Sequence, residues 1–95
     1  MNDDNFKKSR KMTVHNLEML QDAISNQDHP QISPEEKTAL YNQLCTLLEE
    51  AHATKNISEL ESVITQGQTI ERQIELWFAQ EGKDTLEITW ETPAV

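Results

Sequence analysis

Among residue types that carry acid–base, nucleophilic or metal chemistry, the chain offers three histidines (His15, His29, His52), one thiol (Cys45) and seventeen carboxylates. Catalysis needs such groups gathered in a pocket, as an acid–base pair or a nucleophile with its base. Cys45 and His52 are seven residues apart; on a helix that is about two turns, too far for their side chains to meet. A more suggestive run is Glu49-Glu50-Ala51-His52, the E-x-x-H pattern that carboxylate-bridged di-iron bundles turn inward. At about 100° per residue, however, Glu49 falls roughly 150–160° from the centre of the apolar stripe on its own helix and faces solvent. His52 sits on the flank, and His15 with Glu18 lacks further ligands. His29, beside Pro30, reads as a solvated loop residue. No Gly-rich phosphate loop, nucleophile elbow or dinucleotide fingerprint is present. The expectation is a non-enzymatic chain with no cofactor and no metal.

Glu71 breaks a pattern that is otherwise clean. It falls inside the apolar arc formed by Ile64, Gly67, Ile74 and Phe78, where a carboxylate needs a partner or an open edge. One reading lets its stem cover the stripe while its head reaches water. The other gives it a specific partner: Arg10, Arg72 of a second copy, or a base on another protein. Gly67 lies nearby on the same face, and a mid-helix glycine costs about 1 kcal/mol against alanine, which admits a close backbone approach by another helix.

The elements that hold these residues are legible from caps and periodicity. Ser33-Pro34-Glu35-Glu36 places serine at N-cap, proline at N1 and glutamate at N3, a capping box opening a helix. Leu40, Leu44, Leu47, Leu48 and Ala51 continue it as one stripe to about residue 53. After a break at Thr54-Lys55-Asn56, Ser58 with Glu61 predicts a second capped start. From there Leu60, Val63, Ile64, Gly67, Ile70, Ile74, Trp77 and Phe78 predict a helix over 59–80, ended by Gly82 at C′. The short connection makes these two an antiparallel hairpin. Val14, Leu17, Leu20 and Ile24 predict an N-terminal helix that Asp28-His29-Pro30-Gln31 breaks; a cap at Asp3 or Asp4 gives a long form starting near residue 5, preferred to a short form capped by Thr13.

At the C-terminus the period changes to two: Leu86, Ile88 and Trp90 alternate with Glu87, Thr89 and Glu91, predicting an extended strand over 85–91. A lone strand has unpaired backbone groups. It can pair with its own copy across a two-fold axis, join a partner's sheet edge, or pack on the helices with no sheet.

The expected fold is therefore mainly α: an αα-hairpin plus N-terminal helix in one domain over 5–80, with a strand or tail over 83–95. A basic segment occupies residues 1–12. With 95 residues, one such domain is all the chain can hold. Two glycines and three prolines are too few for a turn-rich β fold. Mean hydropathy is −0.70, and no apolar run reaches the roughly 18 residues of a membrane span. The single cysteine forms no internal disulfide. These features predict a soluble, cytoplasmic protein.

Net charge is −9. Residues 1–12 carry four bases against two acids, while the rest carries four bases against fifteen acids. Such a body repels phosphate backbones and disfavours direct nucleic-acid binding. The function expected is binding of another protein, as a regulator, inhibitor, adaptor or assembly factor. Its anchors are expected among Glu71, Trp77, Phe78, Leu86, Ile88 and Trp90, because aromatic residues dominate interface energetics. An apolar helix end at Leu76-Trp77-Phe78 further predicts a homodimer. The competing reading is an acidic mimic of nucleic acid, using Glu49, Glu50, Glu59, Glu61, Glu71 and Glu75, and a second alternative is a metal-binding helical bundle using Glu49, His52 and His15.

Overall fold

In the computed structural model the described residues are 3–25, 30, 32–84 and 88–90. They form three helices: α1 (Asp3–Ser25), α2 (Pro34–Ala53) and α3 (Ile57–Gln80). The expected helical bundle is thus present, with the long form of the first helix. None of these helices is long and apolar enough to cross a membrane.

Local chemistry sets the ends. Ser33 Oγ accepts from the Glu36 N–H at 3.2 Å, with Pro34 opening α2. α3 starts two residues earlier than its serine suggests. Asn56, not Ser58, is the N-cap, its Oδ1 accepting from the Glu59 N–H at 2.9 Å. Glu59 reaches back to the Lys55 N–H at 3.1 Å. Both Asn56/Glu59 and Ser58/Glu61 fit the capping pattern, and asparagine caps as well as serine. Taking the earlier start brings Ile57 into the helix and keeps the connection to three residues. At the other end Gly82 has φ +70°. The Lys83 N–H bonds the Phe78 carbonyl at 2.8 Å and the Gly82 N–H the Ala79 carbonyl at 3.3 Å. That doubled closure is a Schellman motif, which turns the chain back along the bundle.

Three contacts fix the helix directions. Arg10 Nη1 donates to the Thr54 carbonyl at 3.3 Å, and Gln21 Nε2 to Cys45 Sγ at 3.3 Å, so α1 and α2 run antiparallel. α3 runs back along α2, with Leu40 beside Trp77 and Leu47 beside Ile70, so α1 and α3 run the same way, and Leu17 meets α3 at Gly67. The core lies where the three meet. All eight residues of the expected α3 stripe are buried, joined by Leu17, Leu20, Ala23 and Ile24 of α1 and Leu44, Leu47 and Ala51 of α2. α1 also buries Ser9, Thr13 and Asn16, a polar flank that its leucine spacing does not announce. The Thr13 hydroxyl is satisfied within the helix, by the Ser9 carbonyl at 2.8 Å.

Residues 88–90 belong to no helix or strand. The rest of the expected strand, with Leu86, lies outside the described residues, as do His29 and residues 1–2 and 91–95.

Candidate functional site

Two of the expected anchors turn inward. Trp77 and Phe78 are each 2% exposed and sit in the core. The apolar end of α3 is covered by its own chain, with Leu76, 58% exposed, remaining outside. Spacing alone makes residues 76–78 apolar nearly all round. Packing of α1 and α2 against α3 decides which of them is enclosed.

Ile88 and Trp90 are half-buried against the same core. They reach it because the Gly82 reversal sends the chain back between α1 and α3. Trp90 Nε1 donates to Glu71 Oε1 at 2.8 Å, and Asn16 Nδ2 donates to the Thr89 carbonyl at 2.8 Å. A Cβ built on Gly67 would stand 2.7 Å from Trp90 Cη2 and 3.2 Å from Leu17 Cδ2. No relaxed carbon contact is that short, so the glycine is a notch for the indole rather than for another helix. Glu71, one turn further on, receives the ring's N–H. Its partner is neither Arg10, which reaches Thr54 instead, nor a base. Burial pushes the Glu71 carboxyl above its ordinary range and Glu75 adds to the rise. The indole hydrogen bond and Arg72 pull the other way but do not overcome it. Gly67 and Glu71 together were a readable signal: a missing side chain and a buried acceptor, four residues apart, suit an aromatic ring with a polar edge.

Among the described residues the opposite side of α3 is open. Three shallow depressions follow one another along the α2–α3 hairpin. Leu40 and Trp77 share the first, Leu47 and Ile70 the second, and Thr54 and Val63 the third. On each strand of the hairpin the step between these floor positions is seven residues. The walls are Glu36, Ala39, Gln43, Thr46, Glu50 and Ala53 on one side. Facing them across the groove are Glu59, Ser62, Gln66, Thr69 and Gln73. All eleven wall residues are exposed. They recur at alternating steps of three and four, which holds each row on one face of its helix. The Thr46 and Thr69 hydroxyls bond back to Asn42 and Thr65 carbonyls at 3.2 and 3.1 Å. Their polar atoms are thereby occupied, and the walls are less polar than their residue names suggest. This groove was not anticipated from the sequence.

The residues with catalytic or ligating potential are dispersed. His15, His52 and Glu49 are exposed on the outer faces of α1 and α2. Cys45 is half-buried and accepts from Gln21. Among the described residues no three of His, Cys, Asp and Glu come together as a metal site. What the surface offers chemically is association: a filled seam on one side of α3 and an unfilled groove on the other. No family model, no curated protein and no solved structure matches the chain.

Proposed function

We propose that this is a small non-enzymatic protein that acts by binding another protein, as a regulator, inhibitor, adaptor or assembly factor, through the groove between α2 and α3. The observation that supports this reading is the groove itself: buried apolar floor residues flanked by two exposed rows along the whole hairpin. A furrow of this kind, exposed rows standing over a closed floor, is a shape that a partner's side chains can fill. Binding moves, in this reading, from the expected tail anchors to the hairpin. Glu71, Ile88 and Trp90 serve the chain's own fold, and burial of Trp77 and Phe78 removes one of the two grounds on which a homodimer was expected. A cytoplasmic setting belongs to the same proposal, since the lone Cys45 has no disulfide partner in its own chain.

The acidic-mimic reading loses support from the charge layout. Glu49, Glu50, Glu59 and Glu61 are exposed at the turn end of the hairpin, but Gln43, Thr46, Gln66 and Thr69 interrupt them with a neutral middle. Phosphates on a nucleic acid continue without such a gap.

Thr69→Arg tests the proposal, because it fills the middle of the groove from an exposed position. We expect normal helix content by circular dichroism and loss of the partner that the wild-type chain captures from native lysate. Equal capture by both chains rejects the groove as the binding surface.

A further inference from the structure

Resting on that reading, we infer that the α2–α3 groove takes one basic α-helix of about five turns from a second protein. The floor repeats every seven residues, at 63, 70 and 77 along α3 and at 40, 47 and the C-cap Thr54 on the α2 side, a spacing of about 10.5 Å along a helix axis. A third helix carries its own side chains at the same seven-residue interval and meets every hollow in register. An extended strand does not. Its same-face side chains recur every ~6.7 Å, and three residues, though ~10 Å long, end on the opposite face. Length follows from the walls. Positions 36 to 53 of α2 span about 26 Å, five turns of an occupant.

Charge decides whose helix it is. Three carboxylates, Glu36, Glu50 and Glu59, line the groove, and none of the hairpin's bases (Lys37, Lys55, Arg72) is among the lining residues. Glu36 stands near one end, Glu50 and Glu59 near the other, with the neutral Gln43, Thr46, Gln66 and Thr69 between. The matching helix places Lys or Arg beside both ends of a ridge of small or unbranched apolar residues. Ala39, Ala53 and Ser62 give such a ridge room to approach. Groove-to-groove contact with a second copy of this chain sets the same three carboxylates against each other; docking of a second copy's basic first turns (Lys7, Lys8, Lys11) is the outcome that sedimentation detects below.

The test uses the full chain, isotope-labelled, and two synthetic peptides of about 18 residues with alanine and leucine at the seam positions of each heptad. One carries lysine beside the seam; its twin carries glutamate there. We expect the basic peptide to shift amide resonances along residues 36–53 and 59–73. It should bind at least about tenfold tighter than the acidic twin at low salt, a preference that shrinks as salt screens the carboxylates. Glu50→Lys, at an exposed position that takes no part in either helix cap, should reduce that preference while leaving helix content unchanged. Equal binding of the twins, equal binding of a proline-interrupted basic peptide, or shifts confined to α1 overturns the inference. The broader reading is scored separately by cross-linking the natural partner. If Thr69→Arg abolishes its capture but the linked segment is extended or acidic, the helix inference falls and protein binding stands. If Thr69→Arg has no effect, both fall. A dimer in sedimentation that Thr69→Arg disperses assigns the groove to a second copy and also overturns the inference.

Discussion

α3 borders α1 along one seam and α2 along the other, and the two seams are finished in different ways. Between α1 and α3 the returning chain lays Ile88 and Trp90 against the core. It is held there by a glycine notch, the Glu71 carboxylate and the Asn16 amide. Between α2 and α3 the same kind of furrow stays open, its buried floor flanked by short or neutral side chains and three carboxylates. A furrow beside a helix pair is thus something this fold closes when it has chain to spare. The closed seam uses features specific to its occupant, a missing Cβ and a placed acceptor. The open one has a repeating shape and a charge bias. The first is built for one residue, the second for a surface.

The comparison can be broken most severely at Trp77, which is both groove floor and core. Trp77→Ala should cost about 3–5 kcal/mol in urea unfolding, the range for a buried aromatic. Thr69→Arg, on the wall above, should stay within about 0.5 kcal/mol of wild type. Equal losses at the two positions would mean that wall and floor are not distinct. Next in size is Trp90→Ala, which removes a half-buried ring and strands the Glu71 acceptor. A loss of about 2 kcal/mol is expected, with amide exchange rising near Leu17 and Gly67.

Gly67 sharpens the contrast through sign. Alanine there gains about 1 kcal/mol of helix propensity but expels the indole. Gly67→Ala should therefore be destabilising in the wild-type chain and stabilising in a Trp90→Ala background. A double-mutant cycle measures the reversal, and additive effects would disprove the notch.

Glu71→Gln is the mildest change. Burial raises the carboxyl above its ordinary 4.5 in the folded chain. Between 4.5 and that raised value, the folded state therefore holds more protons than the unfolded one. Glu71 makes stability fall as pH climbs through this window, and most favourable below it. Glutamine still offers an oxygen to the indole, so the variant should keep the fold and flatten that slope. Urea midpoints measured across the window decide it, and an unchanged slope assigns the pH dependence to other groups.

Much of this was legible in the residues, for reasons that are local. The Ser33-Pro34 start, the Gly82 stop and the α3 stripe depend on backbone caps and on 3.6-residue periodicity, which need no knowledge of the neighbours. The start of α3 was less secure because Asn56/Glu59 and Ser58/Glu61 satisfy the same rule. Burial on α1 was partly hidden as well. Thr13 and Asn16 are enclosed since their polar atoms find the Ser9 and Thr89 carbonyls, partners that apolar spacing does not reveal. At the candidate site, Glu71 and Gly67 were visible as anomalies, while the ring that explains both is nineteen residues away from Glu71.

By itself, then, the amino-acid order determined that the chain forms three amphipathic helices and where they begin and end within a few residues. It determined the −9 charge and its bias away from the first twelve residues. Tertiary structure alone decided that Trp77 and Phe78 face inward, that Trp90 lands on Gly67 and Glu71, and that one seam is closed while the other is left open. The physical reason is that caps and periods act over a few residues, whereas a groove exists only once two helices lie side by side. Which furrow the returning chain enters depends on the direction it leaves α3, and on which furrow offers a hollow and a hydrogen-bond acceptor of the right shape.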